Sequence, residues 1–96
     1  MPEIRALVVD DHALFRDGLR HLFAAVGEAE VVADAQSSGE ALARLEDTDV
    51  DVGMLDYALK GDRMDGLDLL KRIHRDYPDL PVLMVSMHAE RHLIVE

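Results

Sequence analysis

Alternation constrains this chain more than any other feature: short apolar runs suited to buried strands take turns with longer stretches whose apolar residues recur at helical spacing. Ile4 to Val9 is a nearly continuous apolar run, as expected for a strand covered on both faces. Phe15, Leu19, Leu22, Phe23 and Val26 then recur at steps of three and four, which predicts an amphipathic helix from about residue 13 to 26, ended by Gly27. Val31, Val32, Ala33 and Ala35 predict a second strand. Ser37 with Glu40 is a capping-box pattern opening a helix that carries Ala41, Leu42 and Leu45. A third strand is predicted over Val50 to Leu55. Gly66 then precedes a helix with Leu67, Leu70, Ile73 and Tyr77 on one side, stopped by Pro78. Val82 to Val85 forms a fourth strand, and residues 88 to 96 are expected to begin a fourth helix. This order predicts an α/β fold, a doubly wound parallel sheet with helices on both faces, in one domain spanning residues 1–96.

The polar residues that follow the strands carry the chemistry. Asp10 and Asp11 follow the first run, Asp56 the third and Ser86 the fourth. In open α/β sheets ligands bind at the carboxyl ends of the strands, so these groups are expected to converge there. Clustered carboxylates repel one another, and a divalent cation removes that cost. Oxygen donors without His or Cys select magnesium or a similar hard ion. Taken singly, each residue has a plainer reading: Asp10 or Asp11 as a helix cap, Asp56 as a turn aspartate, Ser86 as a cap for the next helix. Asp56 is the candidate nucleophile towards a phosphoryl donor, forming an acyl phosphate, with Ser86 placed to donate a hydrogen bond to it.

Charge and composition exclude several classes. Ten basic against twenty acidic residues give a formal net charge of -10, which disfavours direct contact of this segment with nucleic acid or anionic membrane. The chain has no cysteine, hence no disulfide or thiolate site. Charged residues before residue 12 argue against a signal peptide, and the longest uncharged run, Leu80 to Ala89, is too short to span a bilayer. A soluble cytoplasmic protein is expected. Leu93, Ile94 and Val95 have the character of an element's middle, so a further strand and helix are expected beyond residue 96.

The stretch Val8-Val9-Asp10-Asp11-His12-Ala13-Leu14-Phe15-Arg16-Asp17-Gly18-Leu19 resembles the opening of response-regulator receiver domains of two-component systems, in particular the NarL/FixJ (LuxR-type) subfamily. Met54-Leu55-Asp56, Met64-Asp65-Gly66-Leu67-Asp68-Leu69-Leu70 and Val82-Leu83-Met84-Val85-Ser86 are similar to its later blocks. The resemblance implies a flavodoxin-like receiver fold with strand order 2-1-3-4, its fifth strand and last helix lying outside the chain. It implies Asp56 as phosphoacceptor from a sensor histidine kinase, with Mg2+ held by Asp10, Asp11, Asp56 and the main-chain carbonyl of Ala58. Ser86 is then the switch hydroxyl, and Ala58 and His88 are modulators of phosphoryl lifetime. A homodimer and a C-terminal helix-turn-helix domain that carries DNA binding and transcription control complete the implied picture, in which the chain is not itself an enzyme.

Two departures stand out. The segment from Tyr57 to Asp65 is two residues longer than the family's usual loop and has Lys60 where proline is typical, so greater mobility is expected there. The family's active-site lysine lies past residue 96, and neither Lys60 nor Lys71 stands where it could replace it, so weak phosphorylation is expected. Competing classes fit less well. A haloacid dehalogenase-type phosphatase needs a second acid where Ala58 stands; a flavodoxin-like electron carrier needs a phosphate loop that Asp10-Asp11-His12 opposes. A receiver-like interaction module that works without phosphorylation stays open. His12 is expected to be structural or interfacial, His74, His88 and His92 solvent-facing, and Met54, Met64, Met84 and Met87 packing residues.

Overall fold

A computed structural model describes residues 4–56, 59, 65–85 and 93–95. The chain runs β1 (Ile4–Val9), α1 (Ala13–Val26), β2 (Ala29–Ala35), α2 (Ser38–Asp47), β3 (Val52–Asp56), α3 (Gly66–Asp76), β4 (Val82–Val85) and β5 (Leu93–Val95). The sheet order is β2-β1-β3-β4-β5. β1 through β4 are parallel in the expected order 2-1-3-4, while β5 pairs antiparallel with β4 through Met84 and Ile94.

β5 corrects the sequence reading, which placed residues 93–95 in a fourth helix; residues 86–92 lie outside the described set. Leu93-Ile94-Val95 has the high β-propensity of branched aliphatic residues. The outer edge of β4 presents unpaired N–H and C=O groups that a nearby strand satisfies. Backbone pairing therefore prevails over an ambiguous helical pattern. β3 also begins at Val52, two residues later than expected, and includes Asp56 as its last residue.

The helix boundaries follow local chemistry. Gly27 ends α1 with φ 83, a left-handed conformation that costs an L side chain about 1 kcal/mol or more. Ser37 Oγ accepts the Glu40 N–H at 3.2 Å and Asp65 Oδ1 accepts the Asp68 N–H at 2.9 Å, so α2 and α3 both start on side-chain caps.

One face of the sheet carries most of the core. Leu7, Val9, Leu55, Val82 and Met84 from the strands pack with Ala41 and Leu45 of α2, with Leu69, Leu70 and Ile73 of α3, and with Leu59. Leu67, expected to face inward, is exposed, and Leu69 is buried in its place, because the stripe α3 presents to β3 is rotated from the one predicted. α1 is different: none of its residues is buried. Phe15, Leu19 and Phe23 lie half-buried, whereas Leu22 and Val26 face outward. Its arginines supplement this shallow contact. Arg20 Nη1 donates to the Val31 carbonyl at 2.8 Å and Nη2 lies 3.1 Å from Asp34 Oδ2, with Arg16 Nε 3.7 Å from the same oxygen.

This asymmetry fixes two expectations. Ile73→Ala, which empties a fully buried position, lowers unfolding free energy by about 2–5 kcal/mol, whereas Leu14→Ala at 87% exposure stays within about 0.5 kcal/mol; urea titration of both variants checks this. At the end of α3, hydrogen bonds from Arg72 and then Arg75 hold the Asp76 carboxyl below its ordinary 3.8. A carboxyl depressed in the folded state contributes stability above pH 3.8 that disappears as pH falls through the folded-state value. Asp76→Asn should remove that part of the acid limb; urea midpoints from roughly pH 6 to pH 2 read it directly.

Candidate functional site

The site is built by the pairing of β1 with β3. Val9 is in register with Leu55 and also with Ala35 of β2 on its other side. The residues that follow Val9 and Leu55, Asp10 and Asp56, therefore emerge next to each other. Strand order reverses between β1 and β3, since β2 follows β1 on one side and β3 lies on the other. That reversal opens the crevice where doubly wound sheets hold their ligands. The Asp10 N–H donates to the Ala35 carbonyl at 3.0 Å, which continues the β1–β2 ladder by one residue and fixes the direction of the Asp10 side chain.

Asp10 and Asp56 are buried, at 0% and 2% exposure, and Asp11 and His12 are exposed. One ligand atom from each of Asp10, Asp11, His12 and Asp56 falls within 4.8 Å of the others. At about 5 Å two carboxylate charges repel by roughly 3 kcal/mol in an effective dielectric near 20, so local groups that offset this matter. The His12 N–H donates to Asp10 Oδ1 at 2.8 Å. The His12 ring places Nδ1 2.8 Å from the same oxygen and 2.9 Å from Asp11 Oδ1. The hydrogen bond to Asp10, then the charge of Asp11, holds the His12 imidazole above its ordinary 6.5. Arg16, in the first turn of α1, donates from Nη1 to the Asp10 carbonyl.

These contacts decide between capping and clustering. The N-cap of α1 is His12, which makes no side-chain cap hydrogen bond. Asp10 accepts from the N-cap residue itself, outside the helix, so neither of its oxygens satisfies an α1 amide in the usual capping positions. The structure brings together Asp10, Asp11 and Asp56 as the strand-end reading expected. Ser86, Ala58, His88 and the longer segment 57–65, apart from Leu59 and Asp65, lie outside the described residues, as do Met64, Met87, Lys60 and His92. Lys71 lies on α3 as an exposed residue, His74 faces solvent, Met84 is buried and Met54 half-buried. His12 was read as structural or interfacial; the structure adds a direct place in the acidic cluster. Its position two residues after the first acid was the available signal, because a chain turning there from strand into helix folds back on its own carboxylates.

A hard divalent cation fits the donor set. Asp10 Oδ2 is buried and has no hydrogen-bond partner among the described residues. A buried carboxylate oxygen without a partner is costly unless a cation or a donor meets it. Neighbouring carboxylates at a strand edge supply that coordination with room left for further oxygen ligands.

The chain belongs to the response regulator receiver domain family, whose model matches residues 6–96. The transcriptional regulatory protein DegU of Brevibacillus brevis is 30% identical over 92 residues, covering 96% of this chain and 38% of DegU. Protein-glutamate methylesterase/protein-glutamine glutaminase 2 of Oleidesulfovibrio alaskensis is 41% identical over 88 residues, covering 92% of this chain and 24% of that protein. Among solved structures, RcsB of Salmonella enterica serovar Typhimurium, bound to a promoter in the presence of the phosphomimetic BeF3-, superimposes with a TM-score of 0.82 at 26% identity, over 90% of this chain and 43% of that one. The relatives DegU and RcsB are NarL/FixJ-type regulators. The chain spans 38% of the length of DegU. No helix among the described residues is long and apolar enough to cross a membrane.

Divalent binding at this cluster is testable without any phosphoryl donor. Asp11→Asn, at an exposed position, should leave the metal-free fold within about 0.5 kcal/mol while sharply reducing the rise in Tm on adding Mg2+. Differential scanning fluorimetry across a Mg2+ series measures both effects.

Proposed function

We propose that the chain is the phosphoacceptor domain of a two-component response regulator, with Asp56 taking a phosphoryl group from the phosphohistidine of a sensor histidine kinase. The observation that carries this reading is the convergence of Asp10, Asp11 and Asp56 at the β1/β3 switch point. A carboxylate oxygen of Asp56 attacks phosphorus, the P–N bond of the phosphohistidine breaks, and an acyl phosphate forms on Asp56. Asp10, Asp11, Asp56 and the main-chain carbonyl of Ala58 would hold Mg2+, which would neutralise charge on the phosphoryl oxygens. The burial of Asp56 limits water at the reacting oxygen.

Phosphorylation adds nearly two negative charges at the strand edge and favours conformations in which the Ser86 hydroxyl turns towards them. Ala58 and His88 border that region in sequence and are assigned to tuning the lifetime of the acyl phosphate. The output is transcription control through a C-terminal helix-turn-helix domain acting as a homodimer in the cytoplasm, in line with a DegU-like relative named as a transcriptional regulator. On this reading the chain is not itself an enzyme. The methylesterase relative shows that a similar segment also occurs in a protein named as an enzyme, so the receiver alone does not dictate the output.

The test uses Mg2+ with beryllofluoride, which reports the site without depending on the rate of phosphoryl transfer. The chain is expected to gain thermal stability and a bound-beryllofluoride 19F signal, and both should vanish in Asp56→Asn. Indifference to that substitution favours the interaction module that works without phosphorylation.

A further inference from the structure

We propose that the open cavity at the amino edge of the sheet docks an arginine side chain from a basic peptide segment of a partner protein. The cavity lies where β3 and β4 begin, at the end of the sheet opposite the acidic cluster, and the inference does not rest on the phosphoacceptor reading. Its volume is about 400 Å3, within the range of about 300–1,000 Å3 usual for ligand pockets. Leu45, Val50, Tyr77 and Leu80 give it an apolar lining, to which Asp49, Asp51 and Asp79 add carboxylates. Among the described residues, none that lines it is basic.

The electrostatics of the cavity select a cation. α2 and α3 both end here: their C-caps, Thr48 and Tyr77, line it, so the partial negative charge of two helix C-termini falls on the same space. The arginines of those last turns are engaged elsewhere. Arg44 Nε donates to the Asp34 carbonyl at 3.3 Å, and Arg75 Nε lies 3.0 Å from Asp76 Oδ1. Asp49 and Asp79 are exposed and, among the described residues, form no ion pair. The rim already holds one guanidinium of its own chain: Arg5 Nε donates to the Asp49 carbonyl at 2.8 Å, while the main-chain N–H of Arg5 donates to Asp51 Oδ2 at 2.8 Å.

The lining then chooses among cations. A hydrated metal ion gains nothing from Leu45, Val50 and Leu80, whereas an arginine buries its methylene stem against them and keeps its charged head at the acidic mouth. Its planar guanidinium also stacks on aromatic rings and forks onto carboxylates, which a lysine ammonium does not match, and Tyr77 and the aspartates supply those partners. The same charge repels phosphate, which excludes a nucleic-acid occupant.

The experiment titrates a fluorescein-labelled tri-arginine peptide with the chain, read by fluorescence anisotropy and by 1H–15N amide shifts. The shifts should centre on residues 48–51 and 77–80. Binding should weaken at least about fivefold when Asp49→Asn is combined with Asp79→Asn, and less than about twofold in the charge-matched control, Asp17→Asn with Glu28→Gln, two exposed acids off the cavity. All four substitutions stand at exposed positions, so the fold is retained. A tri-lysine peptide should bind at least about threefold more weakly than tri-arginine. Shifts centred on Asp10 to His12, equal losses in the two double variants, or equal binding of tri-lysine overturn the proposal. Displacement of the peptide by an equal concentration of agmatine assigns the cavity to a small cation, and concentration-dependent shifts of the same amides without peptide assign it to a second copy of the chain; either result overturns the partner segment.

Discussion

The register between β1 and β3 is the constraint on which the rest depends. Val9 opposite Leu55 sets two strand ends flush, so the next residue of one and the last residue of the other bring carboxylates into the same crevice. A slip of one residue in either strand would turn every side chain to the opposite face. Leu7, Val9 and Leu55 would leave the core shared with α2 and α3, and Asp10 would leave the cluster. The same hydrophobic burial that specifies the fold thus specifies the site, and among the described residues the carboxylate of Asp10, at 0% exposure, is held in place without an ion pair to Lys or Arg.

What holds Asp10 is local. Its side chain receives the His12 N–H and the His12 ring, its N–H reaches Ala35, and its carbonyl accepts from Arg16. Each of these contacts comes from the turn into α1 or from the neighbouring strand. The cluster's repulsion is therefore borne by a segment of a few residues anchored on β1, an interior strand paired on both sides. Placing charge at the rigid centre of a sheet and leaving the loops around it to vary is how open α/β sheets support many chemistries on one frame.

The parts legible in the sequence were those decided by short-range rules. The cap at Ser37, the stop at Gly27 and the strand-end acids all follow from residue type at fixed offsets, and the parallel order follows from the alternation together with the family resemblance. The parts that were not legible depend on partners far along the chain. Periodicity places Leu22 and Val26 on the apolar side of α1, yet α1 meets the sheet only along Phe15, Leu19 and Phe23, so the wider stripe stays in solvent. Leu67 and Leu69 are both apolar, and only the rotation of α3 over β3 chooses between them. Leu93-Ile94-Val95 suits helix and strand alike, and the open edge of β4 decides it. The contacts of His12 to Asp10 and Asp11 form only where the chain turns from β1 into α1, so its place two residues after Asp10 is a signal that helical periodicity does not read.

The two faces of the sheet differ in a way that bears on how such a site communicates. α2 and α3 sink Ala41, Leu45, Leu69, Leu70 and Ile73 into the core, whereas α1 buries no residue and depends on half-buried aromatics and on Arg16 and Arg20 reaching β2. Elements with few buried apolar contacts open at lower free energy than the core does. Yet α1 is the helix that starts at the acidic cluster, through His12 at its N-cap and Arg16 in its first turn. A change of charge at Asp10, Asp11 and Asp56 therefore acts first on groups covalently attached to the helix least committed to the core. Shifting α1 sacrifices little apolar burial, while an equal displacement of α3 would expose Leu69 and Ile73. On packing grounds, the acidic cluster is therefore joined to α1 through His12 and Arg16, while the β1–β3 ladder and the α3 face form the deeply buried frame.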